Sequence, residues 1–279
     1  MKLDLVDVFG AQALRGNPLA VVHGAEGMST EAMQALTRWL GFSETTFLLP
    51  PTDPAADYRV RIFYPAGELP FAGHPTLGTC HAWLAAGGVP KNADRIVQEC
   101  GVGLVEVRRD GDRLAFRAPP LINGATLTDA ERAETAAFAN VPVEAIVDAR
   151  HAYNGPEWRM LRLGSAEEVL AAQPQPYAPA GTDIALVAPA ASGNGADWEI
   201  RAFFTDPTGK LVEDPVTGSL NAAVAQHLFA DGLASGSYVA AQGRCTGADG
   251  RVHCSIDDLG QVWIAGRTDT IAAGADLPI

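Results

Sequence analysis

Three short stretches of this 279-residue chain carry side chains whose types and spacing suit proton transfer at carbon. Glu44 stands between a helix end at Gly41 and an apolar run, flanked by Phe42 and Phe47, in a segment otherwise poor in charge. Partial burial there raises a carboxyl toward neutrality and fits it to take a proton and return it. His74 follows Gly73 at an expected helix start, next to free backbone N–H groups, where an imidazole contacts substrate or moves a proton near neutral pH. Asp214 precedes a second such start, Thr217-Gly218-Ser219, where Thr217 or Ser219 is expected to cap and the carboxylate to meet free N–H groups. Two helix starts presenting unpaired donors grip a small carboxylate and stabilise charge that develops on it. For each residue the plainer alternative is a satisfied structural role, a capped core helix or a buried histidine.

The elements that position these residues occur twice. Arg61-Ile62-Phe63-Tyr64 leads to Gly73-His74 and a small, apolar run; Arg201-Ala202-Phe203-Phe204 leads to Gly218-Ser219 and a similar run. The echo extends to Thr45–Pro50 against Asp183–Pro189, and to Gln98 against Gln242. The place matching Glu44 is read near Gly181-Thr182, without a carboxylate, so one half alone holds the base. Strands are expected at 3–9, 19–22, 45–49 and 58–64. A helix over 29–40 shows Met33, Leu36, Trp39 and Leu40 at helical spacing. Pro75 suits the first position of the helix after Gly73. The second half contains a helix over 165–172, strands at 184–187 and 198–204, and long loops at 188–196 and 206–213. Helices and strands alternate irregularly with hairpins, which fits an α+β or mixed barrel domain better than a doubly wound sheet. Ala118-Pro119-Pro120-Leu121 is the expected linker. The domains are therefore placed at 1–118 and 119–267, with the tail, 268–279, packing back on the first.

Composition narrows the class. With 47% hydrophobic and 19% charged residues the chain reads as globular. No apolar run is long enough to span a bilayer, and the N-terminal segment alternates like a strand rather than a signal peptide, so the default location is the cytoplasm. A net charge of −13 without a Lys/Arg cluster argues against nucleic acid. Cys80, Cys100, Cys245 and Cys254 lie apart and are read as reduced. Gly41-Phe42-Ser43-Glu44-Thr45 lacks the last glycine of a nucleophile elbow, and neither a dinucleotide nor a phosphate loop occurs. The sets His74, Cys80, His81 and Cys245, His253, Cys254 lack an established metal-ligand spacing, so no metal is expected.

Gly16-Asn17-Pro18-Leu19-Ala20-Val21-Val22, Phe42-Ser43-Glu44-Thr45-Thr46-Phe47, Phe71-Ala72-Gly73-His74-Pro75-Thr76-Leu77-Gly78 and Glu213-Asp214-Pro215-Val216-Thr217-Gly218-Ser219 together resemble the phenazine biosynthesis PhzF family. The match spans nearly the whole chain in the right order. The resemblance implies a fold like diaminopimelate epimerase. In that fold two pseudo-symmetric α/β domains each wrap a barrel-like, mainly antiparallel sheet around a central helix, with the active site in the interdomain cleft. It also implies a cofactor-free isomerase, usually homodimeric, whose characterised member isomerises trans-2,3-dihydro-3-hydroxyanthranilate. Glu44 matches that family's acid/base, His74 and Asp214 stand with it as catalytic positions, and Asn17, Gly73, Gly218 and Ser219 are the expected substrate-binding positions. Related epimerases and proline racemases use two cysteines at the helix starts; Ala72 and Thr217 stand nearby here, which argues against two-thiol racemisation. A non-catalytic metabolite-binding protein with the same cleft is the alternative.

Overall fold

The computed structural model describes residues 1–278; Ile279, the last residue of the expected tail, lies outside them. The chain divides into two compact units, Met1–Arg117 together with the C-terminal segment from Ala265, and Ala118–Ile264. The first contains β1 (Lys2–Val8), β2 (Asn17–His23), α1 (Thr30–Leu40), β3 (Glu44–Leu49), β4 (Tyr58–Tyr64), β5 (Gly67–Leu69), α2 (Gly73–Ala85), β6 (Ile96–Cys100), β7 (Gly103–Asp110) and β8 (Arg113–Arg117). The second contains α3 (Asp129–Ala139), β9 (Ile146–Tyr153), β10 (Glu157–Leu163), α4 (Ala166–Ala171), β11 (Asp183–Pro189), β12 (Trp198–Thr205), β13 (Leu211–Asp214), α5 (Gly218–Ala230), β14 (Ser237–Gln242) and β15 (Gly250–Ile256). The chain then passes through β16 (Val262–Gly266) to β17 (Thr268–Asp276), which lies antiparallel to β1.

Strand pairing repeats from one unit to the other. In the first, β1 and β2 are antiparallel, β2 and β3 parallel, β3–β4 and β4–β5 antiparallel, β4 and β6 parallel, β6 and β7 antiparallel. In the second, β9–β10, β10–β11, β11–β12, β12–β13, β12–β14 and β14–β15 follow the same series of senses. The units are thus pseudo-symmetric α/β structures, with α1 matching α4 and α2 matching α5. The added element is α3, started by a capping box in which Thr128 and Glu131 exchange hydrogen bonds.

Why α2 and α5 lie inside their units is written in their composition. Neither contains Asp, Glu, Lys or Arg, most of their side chains are apolar or small, and a helix without a charged face is buried. Strands β1, β2, β3, β6, β8 and β17 pack against α2. Gly78 permits the closest approach: a Cβ there would stand 2.5 Å from Leu19 Cδ2 and 3.0 Å from Val8 Cγ2. Outside the sheet, α1 begins at Ser29, whose hydroxyl accepts the Ala32 N–H, and ends at Gly41 in the left-handed region (φ 72°). Its buried side chains are Met33 and Leu36, packed with Phe47 and Phe63, and Thr37, whose hydroxyl donates to the Met33 carbonyl, while Trp39 is 81% exposed. Trp39 falls off the buried stripe because the turn that carries Met33 and Leu36 inward carries Thr37 and not residue 39 with them. The stretch read as a loop at 206–213 contains β13, whose Leu211 to Asp214 pair with Thr205 to Ala202.

Candidate active site

In the first unit three chain segments meet at the start of α2. Asp7 fixes the loop ahead of β2: its carboxylate accepts the backbone N–H groups of Arg15 (3.1 Å) and Gly16 (3.0 Å). Gly16 has to be glycine, since a Cβ there would collide with the Val8 carbonyl. The next residue, Asn17, is buried, and its side-chain oxygen accepts the Ser43 hydroxyl at 2.9 Å. That bond places Glu44 at the head of β3, opposite Leu19 in the parallel ladder. Glu44 Oε2 lies 3.6 Å from His74 Nε2, with the two side chains 17% and 5% exposed. Asn17, Glu44 and His74 therefore come together from motifs far apart in the chain.

The imidazole of His74 is neutral at physiological pH. Burial lowers its pKa from 6.5 to about 3, opposed by a hydrogen bond to the Pro18 carbonyl. Nε2 has no hydrogen-bond partner, so the N–H given to Pro18 is on Nδ1 and Nε2 presents a lone pair toward Glu44. At 3.6 Å the two atoms are not hydrogen-bonded, and a proton shared between Oε2 and Nε2 requires them to close to about 3 Å. The sequence reading expected a histidine that titrates near neutrality; complete enclosure at the α2 start makes it a fixed acceptor instead. A test follows from linkage. Between about pH 6.5 and 3 the unfolded chain binds a proton at His74 that the folded chain does not, so stability falls as pH falls through this window. His74→Asn should flatten the pH dependence of the urea midpoint between pH 4 and 7 by up to about 1.4 kcal/mol per pH unit. An unchanged slope would show that the ring is not held neutral.

Neither α2 nor α5 is capped by a side chain. Gly73 is the first residue of α2 and Pro75 the third, two places later than the sequence suggested, and Pro75 is still in the turn whose N–H groups have no intrahelical partner. In the second unit Thr217 holds the N-cap position of α5 without capping it. Its hydroxyl donates to Asp214 Oδ2 at 2.5 Å and accepts from Gln242 Nε2 at 2.9 Å. Gln242 Oε1 in turn accepts the Thr217 N–H (3.1 Å) and the Asn221 side-chain amide (2.9 Å). Gln98 is the matching residue in the first unit, bonded through Nε2 to Thr76 Oγ1 (3.0 Å) and through Oε1 to the Tyr58 hydroxyl (3.2 Å). Each buried glutamine pins a helix start from the strand behind it, leaving the foremost N–H groups to meet an anion. The Ser219 carbonyl is held by Asn154 at 2.9 Å. Gly73, Asn17, Glu44 and His74 thus belong to the first unit, and Asp214, Gly218 and Ser219 to the second.

Strand register corrects one expectation. Thr45 lies opposite Phe63, and Ile184 opposite Phe203. Since Phe63 and Phe203 match in the repeat, Thr45 matches Ile184 and Glu44 matches Asp183, two residues beyond Gly181. The second unit does carry a carboxyl at this place, and the sequence reading missed it. Aligning the strands from their downstream prolines, Pro50 and Pro189, signals the same register. The four cysteines are free thiols, and burial pushes Cys80 and Cys254 up to about 12, far from the thiolate a two-thiol racemase needs.

A protein of this construction is a PhzF-like isomerase by class. The model of the PhzC-PhzF family, phenazine biosynthesis-like protein, matches residues 6–274, and the chain belongs to that family. The trans-2,3-dihydro-3-hydroxyanthranilate isomerase of Pseudomonas aeruginosa is 34% identical over 235 residues, 80% of this chain and 78% of that protein. Antisense-enhancing sequence 1 of Schizosaccharomyces pombe is 38% identical over 178 residues, and the match spans only 58% of that protein's length and 59% of this chain. Among solved structures, a predicted epimerase from Pseudomonas aeruginosa superposes with a TM-score of 0.81 at 28% identity, covering 100% of this chain and 99% of that one.

Proposed function

We propose that this protein is a cofactor-independent isomerase that moves a proton between carbons of a small carboxylate-bearing substrate, with Glu44 as the single acid/base. The substrate is trans-2,3-dihydro-3-hydroxyanthranilate or a relative of it. The observation that carries this reading is the Glu44–His74 pair, 3.6 Å apart beside the uncapped start of a buried helix. Glu44 takes a proton from a carbon acidified by conjugation and returns it to another carbon on the same face, so the proton balance closes within one residue. His74 and Asn17 orient that carboxyl. The N–H groups at Gly73 and Gly218, with Ser219 and Asp214, hold the substrate carboxylate and the charge that spreads onto it. The same proposal includes sheets that curl around α2 and α5 and a homodimeric cytoplasmic enzyme.

Incubation with trans-2,3-dihydro-3-hydroxyanthranilate in D2O, followed by proton NMR, tests it. Isomerisation with solvent deuterium entering the ring carbons is the expected result. Tight binding of the compound with no exchange would instead favour a metabolite-binding protein that keeps the same pocket without turnover.

A further inference from the structure

Asp183 opens β11 as Glu44 opens β3, at the same register of the duplicated sheet. The repeat that sets Glu44 beside His74 at the start of α2 assigns Asp183 the corresponding place relative to α5. The turn joining β9 to β10 carries Asn154, which holds the Ser219 carbonyl at 2.9 Å, and three residues later β10 opens on Glu157, whose charge acts on Asp183. No hydrogen bond or ion pair reaches the half-buried Asp183 carboxylate among the described residues. The charged groups on neighbouring elements are engaged elsewhere. Arg159 of β10 binds Glu134 at 2.6 Å, and Glu168 of α4 accepts the Gly164 and Ser165 N–H groups. Asp206, after β12, accepts the N–H groups of Thr208 and Lys210. Across the ladder β12 offers Phe203 and Phe204. Burial first, and Glu157 second, push the Asp183 carboxyl up to about 6. A half-buried carboxyl with no protein donor of its own and a carboxylate for a neighbour is arranged to give a proton, not to receive one.

We propose that Asp183 is a substrate-binding residue of the second unit, donating its acid O–H to the carboxylate of the ligand at the start of α5. This rests on the small-carboxylate reading above and adds to it a residue on which pH acts. No covalent bond changes; the proton stays shared between two carboxyl groups, much as an acid form kept neutral by its site donates to an oxyanion. Because the folded pKa is raised, the donor is present below about pH 6 and is lost as pH rises through that value. Above it, each binding event has to take up a proton.

Calorimetric titration of the wild type with anthranilate, an unreactive aromatic carboxylate, in two buffers of different ionisation heat reads this directly. At pH 7 the expected uptake approaches one proton per site, and Kd rises by about tenfold per pH unit above pH 6.5. In Asp183→Asn the uptake vanishes and Kd no longer depends on pH, whereas Glu157→Gln moves the onset of the dependence to lower pH. Uptake and slope that persist in Asp183→Asn overturn the proposal, as does a wild type that does not bind anthranilate. Glu44→Gln is expected to keep the uptake. A wild type inert toward dihydro-hydroxyanthranilate that shows Asp183-linked binding therefore sinks the isomerase reading and leaves this one standing.

Discussion

Glu44→Gln is expected to lower turnover of the isomerised substrate by about 10²–10⁴-fold, the range for losing a general acid/base, while Kd for an analogue such as anthranilate stays within about threefold. The geometry separates these effects. Glutamine has nearly the volume of glutamate, and its amide donates to His74 Nε2, which stands 3.6 Å from the present carboxyl oxygen with its lone pair exposed. The variant therefore keeps the packing among Asn17, Ser43 and His74 and loses only the capacity to carry a proton. Solvent deuterium exchange checks the chemistry and calorimetry checks the binding. Full activity in Glu44→Gln removes this residue from the mechanism, whereas equal losses of turnover and affinity would make it a binding group.

The largest stability effect is expected at Arg201, through a contrast that the duplication itself supplies. Arg61 and Arg201 occupy matching places, each stacked on the phenylalanine two residues later, at 5.0 and 4.8 Å, and each paired with a glutamate of the following strand. Arg61–Glu68 is partly exposed, at 22% and 40%, while Arg201–Glu213 is 6% and 13% exposed. Arg201 also donates to the carbonyls of Val169 (3.1 Å) and Ala172 (2.7 Å), which end α4. Arg201→Ala leaves a buried carboxylate and helix-end carbonyls unpaired. It should cost about 3–5 kcal/mol, a fall in melting temperature on the order of 10 °C. Arg61→Ala should cost less than about 1 kcal/mol. Urea midpoints of the two variants decide the matter, and equal losses would mean that the enclosure of Arg201 contributes nothing.

Local signals made much of this fold readable. Ser29 and Gly41 bracket α1 because a hydroxyl and a left-handed glycine act on their own neighbours, whatever the rest of the chain does. The repeat was visible in Arg61 to Tyr64 and Arg201 to Phe204, and it led to Glu44, His74 and the two helix starts without any coordinates. What escaped depends on partners distant in sequence. Asp183 was overlooked because register is a property of two strands, and a slip of two residues keeps every side chain on its own face while changing what it matches. Thr217 looks like a cap in the sequence; only the approach of Gln242, 25 residues later, turns its hydroxyl toward Asp214. The α3 capping box is written in Thr128 and Glu131, but the repeat, which has no counterpart to this helix, gives no sign of it.

Strand β17 carries a consequence for biogenesis. It pairs with β1 and packs on α2, yet it leaves the ribosome after the whole of the second unit. Synthesis from the N-terminus therefore presents a contiguous second unit that can close before the first acquires its last strand. The segment bearing Glu44 and His74 waits longest for completion, so a nascent chain is expected to gain its anion-gripping α5 start earlier than its proton-transfer pair.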